Sequence, residues 1–382
     1  MSTISPLSNS IDTDSTEETK SSPVPSHTSD EGYAEAIAAT KREIESLKVK
    51  LRNTKEELAD AFLDEVSDQM GIQPLPQTGY KVRKTLKGHS SKIYAMYWSP
   101  SQPYIVSAGQ DGKLIIWNGI SGNKMLAIPL RSPWVMTCAF SQSGKMIASG
   151  GLDNRVSVWD VQSKDSSSLL SSKITAEMMG HSGYISCVRF VSDEQIISSS
   201  GDTSAILWDL SRSKPILRFE EHDGDVMSVA VDLPQSIVVT GACDSFTKVW
   251  DIRTGHCVRT FAGHEADVNC VRFFPDANVI ATGSDDSTCR LFDLRYDGEI
   301  SIFSHASIAG GVTSLDFSSS GRILFAAYDD FNVSAWDTLR AERISVISGH
   351  QNRVSSLGVS SDGYALCTAS WDGNLKLWTQ KP

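Results

Sequence analysis

The sequence predicts an all-β protein, a seven-bladed β-propeller preceded by an N-terminal coiled-coil α-helix. Three observations predict this architecture. An aromatic residue, usually followed by Asp, recurs seven times at spacings of 42 to 49 residues. A heptad pattern of apolar residues precedes the first repeat, and short alternating runs bounded by turn signals lie within each repeat.

The N-terminal region divides into three predicted segments. Residues 1–32 are expected to be a disordered tail, because 17 of them are Ser, Thr or Pro. Residues 33–69 are expected to form the coiled-coil helix, and residues 70–80, with Gly71 and two prolines, a linker. The heptad a and d positions are Ile37, Thr40, Ile44, Leu47, Leu51, Thr54, Leu58 and Ala61. So narrow a seam favours a partner helix, and packing on the chain's own domain is the alternative.

Residues 81–382 are expected to form the propeller. The repeated aromatic residues are Trp117, Trp159, Trp208, Trp250, Phe292, Trp336 and Trp378. An Asp stands six residues before each of them, at Asp111, Asp153, Asp202, Asp244, Asp286, Asp330 and Asp372. Six repeats also place a histidine 21 to 25 residues before that Asp, at His89, His181, His222, His264, His305 and His350. This is the WD40 signature, with four strands per blade, and the strand Lys81–Leu86 is expected to close the ring against the last blade.

The recurring His, Ser or Thr, and Asp could suggest catalytic triads, but the same set recurs in most blades. Identical active sites around one ring are implausible, so we interpret the set as a buried hydrogen-bond network. Asp accepts from the His ring, His meets the hydroxyl, and the hydroxyl reaches the Trp indole. The network residues are His89, Ser107, Asp111, Trp117, His181, Asp202, Trp208, His264, Asp286, His350, Asp372 and Trp378.

Composition narrows the function further. A net charge of −11 without a basic stripe argues against nucleic-acid binding, and no apolar run is long enough to span a membrane. Seven cysteines without CxxC spacing fit reduced thiols in a cytoplasmic protein. The sequence has no phosphate-binding loop, and the network uses most of the histidines. We therefore expect no enzyme activity, no cofactor and no metal.

One stretch, "RSPWVMTC", departs from the repeat pattern. Counting back from Asp153 puts Arg131 where other blades have histidine, so Trp134 and Met136 occupy positions three and five residues after it. Equivalent positions in a propeller lie at one height on one face. Two Trp, two Tyr, two Met and a Leu, interleaved with Lys and Asp, are typical of a binding hot spot. The alternative is that some of these side chains pack into the central channel.

The motifs "GHSSKIYAMYW", "IPLRSPWVMTCAF", "GGLDN" and "GSDDSTCRLFDLR" resemble the beta subunit of heterotrimeric G proteins, over residues 34–379. The resemblance implies a gamma subunit bound through Ile37, Ile44, Leu47, Leu51 and Leu58. It implies a GDP-bound alpha subunit docked on Lys92, Tyr94, Trp134, Met136, Leu152, Tyr184, Asp225, Met227, Asp267, Asn269, Asp285 and Trp371, with side contacts to Lys113, Ile115, Asn123 and Lys124.

The resemblance also implies effectors and regulators that share this surface, and a location at the inner face of the plasma membrane through lipidation of partners. The long Ser/Thr-rich extension suggests a fungal or other microbial lineage. The main alternative is a WD40 scaffold of another kind, such as a transcriptional corepressor or a ubiquitin-ligase adaptor, since the fold alone does not separate them.

Overall fold

The computed structural model describes residues 37–47, 49–50, 63–163, 170–232, 234–296 and 298–380. The chain divides into two units at residues 60 and 61. In the first unit, residues 37–47 and 49–50 are helical, and the seam residues Ile37, Ile44 and Leu47 are about half exposed. The predicted tail at 1–32 and the seam residues Leu51, Thr54, Leu58 and Ala61 lie outside the described residues.

The second unit begins with a short helix, Leu63–Gln69, whose end is tied to the sixth blade. Arg340 forms an ion pair with Asp68 and donates to the carbonyl of Ile72 over 3.0 Å. Arg322 reaches the carbonyl of Gln73 over 3.4 Å. Among the described residues, no helix has the length and apolar character needed to cross a bilayer.

Seven four-stranded antiparallel sheets follow, which confirms the predicted seven-bladed propeller. Blade one consists of β2 (Ile93–Trp98), β3 (Tyr104–Gly109), β4 (Lys113–Asn118) and β5 (Lys124–Pro129). Blade two consists of β6 (Val135–Phe140), β7 (Met146–Gly151), β8 (Arg155–Ser163) and β9 (Leu170–Met179). Blade three consists of β10 (Ile185–Phe190), β11 (Gln195–Ser200), β12 (Ala205–Asp209) and β13 (Lys214–Phe219).

The remaining blades follow the same order. Blade four consists of β14 (Val226–Asp232), β15 (Ile237–Ala242), β16 (Thr247–Asp251) and β17 (Cys257–Phe261). Blade five consists of β18 (Val268–Phe273), β19 (Val279–Ser284), β20 (Cys289–Asp293) and β21 (Gly298–Phe303). Blade six consists of β22 (Val312–Phe317), β23 (Ile323–Tyr328), β24 (Val333–Asp337) and β25 (Glu342–Ile347). Blade seven combines β26 (Val354–Val359), β27 (Leu366–Ser370) and β28 (Asn374–Gln380) with β1 (Tyr80–Lys87).

The ring closes as expected from the sequence. Strand β1 pairs antiparallel with β28, from Tyr80 opposite Gln380 to Lys87 opposite Asn374. The outer strand of blade seven therefore comes from the start of the propeller. Closure covers the sheet edges that an open ring would expose to pairing with other chains.

Neighbouring blades are joined by apolar contacts and by a repeated polar bond. The third strands bring their aromatic residues into the core, where Trp117, Trp208, Trp250 and Trp336 are at most 1% exposed. A hydroxyl on one innermost strand also accepts a backbone N–H from the next blade. The pairs are Thr137 with Val188, Ser228 with Val271, Ser314 with Leu357 and Ser356 with Met96, at 3.1 to 3.2 Å. These bonds fix the position of each innermost strand relative to that of the next blade.

Candidate functional site

The recurring polar residues form the same network in five of the blades: one, three, four, five and seven. In blade one, His89 Nδ1 lies 2.9 Å from Asp111, His89 Nε2 lies 2.8 Å from Ser107 Oγ, and the Trp117 indole donates to that hydroxyl over 2.9 Å. The Asp carboxylate also accepts the N–H of Ser90. The same bonds hold His181 with Asp202 and Ser198, His222 with Asp244 and Thr240, His264 with Asp286 and Thr282, and His350 with Asp372 and Thr368. Each network ties the loop that opens a blade to the turn between its second and third strands.

Blade six does not use its histidine, which corrects the expectation that six histidines share one role. His305 is exposed, bonds to Ser307 over 2.9 Å and contacts Arg343. It stands 25 residues before the blade's Asp330, whereas the histidines inside the network stand 21 or 22 residues before theirs. Because the segment between His305 and Asp330 is longer, the imidazole ring of His305 does not reach the network position. The buried Tyr328 hydroxyl accepts the Trp336 indole N–H there instead, over 3.2 Å.

The network carboxylates predict how stability depends on pH. Burial alone would raise the pKa of Asp372, but bonds from His350 and from two backbone N–H groups outweigh it and lower the pKa to about 2. A carboxyl whose folded pKa is lowered stabilises the fold above its unfolded pKa, and the contribution is lost as pH falls through the folded value. This part of the stability is therefore present above about pH 4 and lost toward pH 2.

We expect Asp372→Asn to lower the thermal midpoint at pH 6 and the deficit relative to wild type to shrink between pH 4 and pH 2. Thermal melts across this range measure the effect. Glu342→Gln, an exposed carboxyl in β25, is the control and should follow wild type throughout. A constant deficit for Asp372→Asn at all pH values would contradict the assignment.

The face predicted from spacing is defined by a backbone bond that recurs in every blade. The residue just before each network Asp donates its N–H to the carbonyl of a residue in the loop that precedes the innermost strand. The pairs are Gln110 with Lys92, Leu152 with Trp134, Gly201 with Tyr184, Cys243 with Asp225, Asp285 with Asp267, Asp329 with Gly311 and Trp371 with Arg353, at 2.8 to 3.3 Å. These positions are therefore equivalent around the ring.

A second set of face residues sits at β-bulges. In all seven blades the pairing of the innermost strand shifts across its second residue. The residues at the shift are Tyr94, Met136, Ser186, Met227, Asn269, Thr313 and Ser355. A bulge re-aims a side chain away from the regular alternation. This explains why the side chains of Tyr94, Met136 and Met227 remain only partly buried, although each residue lies near the start of an innermost strand.

One half of the face is aromatic. The Tyr94 ring stacks on Trp134 at 6.1 Å and meets Trp371 edge-on at 6.0 Å. Lys92 Nζ lies 4.0 Å from the centre of the Trp371 ring. Trp134 is 40% exposed, and its backbone has φ of 64°, a strained region for a residue with a side chain. Leu152, bonded to the Trp134 carbonyl, is 49% exposed beside it.

The other half is acidic. The Tyr184 hydroxyl donates to Asp225 over 2.9 Å and contacts the Met227 sulfur at 3.4 Å. Asn269 donates to Asp285 over 2.6 Å. Burial, a hydrogen bond to Asp267 and the neighbouring carboxylates raise the pKa of Cys243 to about 12, so this thiol stays protonated. The half is thus suited to cationic groups of a partner.

Blade seven contributes one face residue that the site prediction left out, Arg353. Arg353 pairs with Asp329 at 2.7 Å and lies over the Trp371 ring at 5.1 Å. Counting three residues from His350 would have found Arg353, just as the same count found Lys92 from His89. With Lys92, it places two cations on one tryptophan.

The predicted side contacts lie on the outer strands of blade one. Lys113, Asn123 and Lys124 are exposed there. Ile115 is 1% exposed, because both faces of β4 are covered by neighbouring blades and Ile115 packs in the cluster that joins blade one to blade seven. Its side chain is buried in this chain, and its assignment as a contact stays a prediction. Among the described residues, no group of His, Cys, Asp and Glu is arranged to hold a metal ion.

Comparison with known proteins identifies the family. The model of the family described as G protein beta WD-40 repeat protein matches residues 35–379. This chain belongs to that family. It is 53% identical over 345 residues to the guanine nucleotide-binding protein subunit beta of Dictyostelium discoideum, covering 90% of this chain and 98% of that protein. It is 52% identical over 342 residues to the G(I)/G(S)/G(T) subunit beta-1 of Homarus americanus, covering 90% and 99% respectively.

The match confirms the family inferred from the sequence motifs. Membership of the G protein beta WD-40 repeat family makes the chain a non-enzymatic propeller scaffold in G protein signalling. The repeated networks are accordingly structural.

Proposed function

We propose that this chain is the beta subunit of a heterotrimeric G protein that docks a GDP-bound alpha subunit on the propeller face. The observation that carries the proposal is the division of this face into an aromatic half around Trp134 and Trp371 and an acidic half around Asp225 and Asp285. Trp134, Trp371, Asp225 and Asp285 are among the residues that the family resemblance assigns to alpha contact. Family membership supports the same role.

The face is suited to a partner that binds reversibly. Partly exposed aromatic residues near the centre of an interface supply most of its binding free energy, and surrounding charges set orientation and association rate. A change in the alpha subunit that removes contacts to Trp134 and Trp371 would release it. Effectors and regulators then bind the same face, so alpha-GDP and effectors compete. Lys113, Asn123 and Lys124 supply the side contact.

The N-terminal helix is proposed to pair with a gamma subunit. Ile37, Ile44 and Leu47 line one stripe of the described helix and are exposed. Exposed apolar residues at heptad spacing are stabilised by a partner helix. Localisation at the inner face of the plasma membrane is part of the proposal, with lipidated partners supplying the anchor.

A pull-down of the full chain from its native cells tests the proposal. Parallel samples contain GDP alone or GDP with aluminium fluoride, and the bound proteins are identified by mass spectrometry. We expect an alpha subunit that is retained in GDP and released by the activating mimic, with a small gamma chain retained in both. Recovery of chromatin or ubiquitin-ligase subunits that ignore the nucleotide would overturn the proposal in favour of another WD40 scaffold.

The gamma contact has its own prediction. Leu47→Asp places a charge in the seam, and we expect copurification of the gamma chain to be lost, because a buried unpaired carboxylate opposes helix pairing. Leu51→Asp should behave in the same way. Ser46→Asp is the matched control, since residue 46 lies outside the a and d positions and is exposed. Equal gamma recovery with Leu47→Asp and Ser46→Asp would contradict the coiled-coil assignment.

A further inference from the structure

Blade two contains a cavity that the docking proposal does not use. Its volume is about 420 Å³, and its lining includes Arg131, Trp134, Ser149, Asp153, Trp159 and Glu177. Ser149, Asp153 and Trp159 are the blade-two counterparts of the hydroxyl, carboxylate and indole that surround histidine elsewhere. Arg131 precedes β6 by four residues, as His350 precedes β26. The cavity therefore lies where five other blades hold an imidazole ring.

The groups around the cavity lack the bonds that their counterparts make. In blade seven, Trp378 donates to Thr368 over 2.8 Å, but the buried Trp159 Nε1 finds no acceptor among the described residues. Asp153 Oδ1 still accepts the N–H of Arg155, so the carboxylate keeps the orientation seen in other blades. Its second oxygen receives no donor from the described residues. A buried donor without a partner costs free energy that a suitable guest would recover.

Arg131 does not fill the vacant position. Its side chain is 81% exposed and points to Glu177, at 3.6 Å. The loop that carries it also has a different backbone, because Pro133 has no N–H and Trp134 takes a positive φ. The cavity consequently opens beside Trp134, at the edge of the propeller face.

We propose that this cavity binds the imidazole ring of a histidine in a segment of a protein partner. The ring Nδ1–H donates to the free oxygen of Asp153, and the Ser149 hydroxyl donates to Nε2. The Trp159 indole then donates to Ser149, which reproduces the arrangement of the other blades. The opening beside the exposed Trp134 favours a macromolecular source for the ring. The site goes beyond alpha docking and shares only Trp134 with the proposed docking residues.

The test uses the full-length chain with its copurifying partners and tryptophans labelled with ¹⁵N. The probe is acetyl-histidine-methylamide, and the matched control is its Nδ1-methyl analogue, which cannot donate to Asp153. The Trp159 N–H resonance is assigned from the Trp159→Phe variant. We expect this resonance to shift in a saturable way with the histidine probe and to remain in place with the methylated one.

Two variants sharpen the result. Asp153→Asn should weaken probe binding at least about tenfold, because it removes a charged acceptor, whereas Glu342→Gln, which changes an exposed carboxyl in β25 outside the cavity, should leave binding unchanged. Equal binding of both probes, or full binding by Asp153→Asn, would overturn the proposal. Either failure is independent of alpha docking, because retention of an alpha subunit in GDP does not involve Asp153 and is measured in the pull-down.

Discussion

Replacing Trp134 or Trp371 by alanine is expected to remove most of the binding of a GDP-bound alpha subunit. Truncating a central interface aromatic commonly costs about 2 to 4 kcal/mol, which weakens binding roughly 30- to 700-fold. The two rings flank Tyr94 at 6.1 and 6.0 Å, so removing either one also takes away one of the two aromatic neighbours of Tyr94. Titration calorimetry with a GDP-bound alpha subunit measures the loss.

The control for this experiment is Tyr364→Ala. Tyr364 is 82% exposed in the turn before β27 and belongs to neither half of the docking face. Its removal should change alpha binding by less than twofold. The circular dichroism spectrum and thermal midpoint of both Trp variants should stay close to wild type, because Trp134 and Trp371 lie outside the buried core. Normal alpha binding by both Trp134→Ala and Trp371→Ala would contradict the assignment of the docking face.

The largest effect on stability is expected from Trp208→Ala in blade three. Trp208 is fully buried, packs edge-on against His181 at 5.9 Å and donates to Ser198 over 2.8 Å. A Trp to Ala change in a core commonly lowers the free energy of unfolding by about 3 to 5 kcal/mol, through lost contacts and the cavity left behind. Urea denaturation measures the change.

A pair of phenylalanine variants separates the hydrogen bond from the packing. Trp208→Phe retains most of the apolar contact but removes the indole donor, and we expect a loss of about 1 kcal/mol beyond the loss of volume. Trp159→Phe makes the same change in blade two, where the indole N–H has no acceptor among the described residues, so only the volume change should remain. Equal losses for the two variants would show that the bond to Ser198 contributes nothing.

Much of the site was predictable from spacing, because the blades repeat one geometry. Counting from the network His and Asp residues placed Lys92, Trp134 and Trp371 on one face, and the recurring backbone bonds show that Lys92 and Trp134 hold equivalent positions and that Trp371 holds the position that bonds to theirs. The resemblance assigned Ile115 to a side contact, and only the structure shows that it is buried, since neighbouring blades cover both faces of β4. Arg353 was missed only because the count was not carried into blade seven.

The sequence by itself determined the number of blades, the closing strand, the network residues and the height of the docking positions, because all of these follow from a repeat of nearly constant length. Only the tertiary structure decided what each position touches. Lys92 and Tyr94 contact Trp371 across the point where the ring closes. His305 does not occupy the network position of blade six, and blade two has a cavity that Trp159 helps to line. The physical reason is that a side chain's surroundings depend on the adjacent blade and on local loop length, which the repeat does not encode.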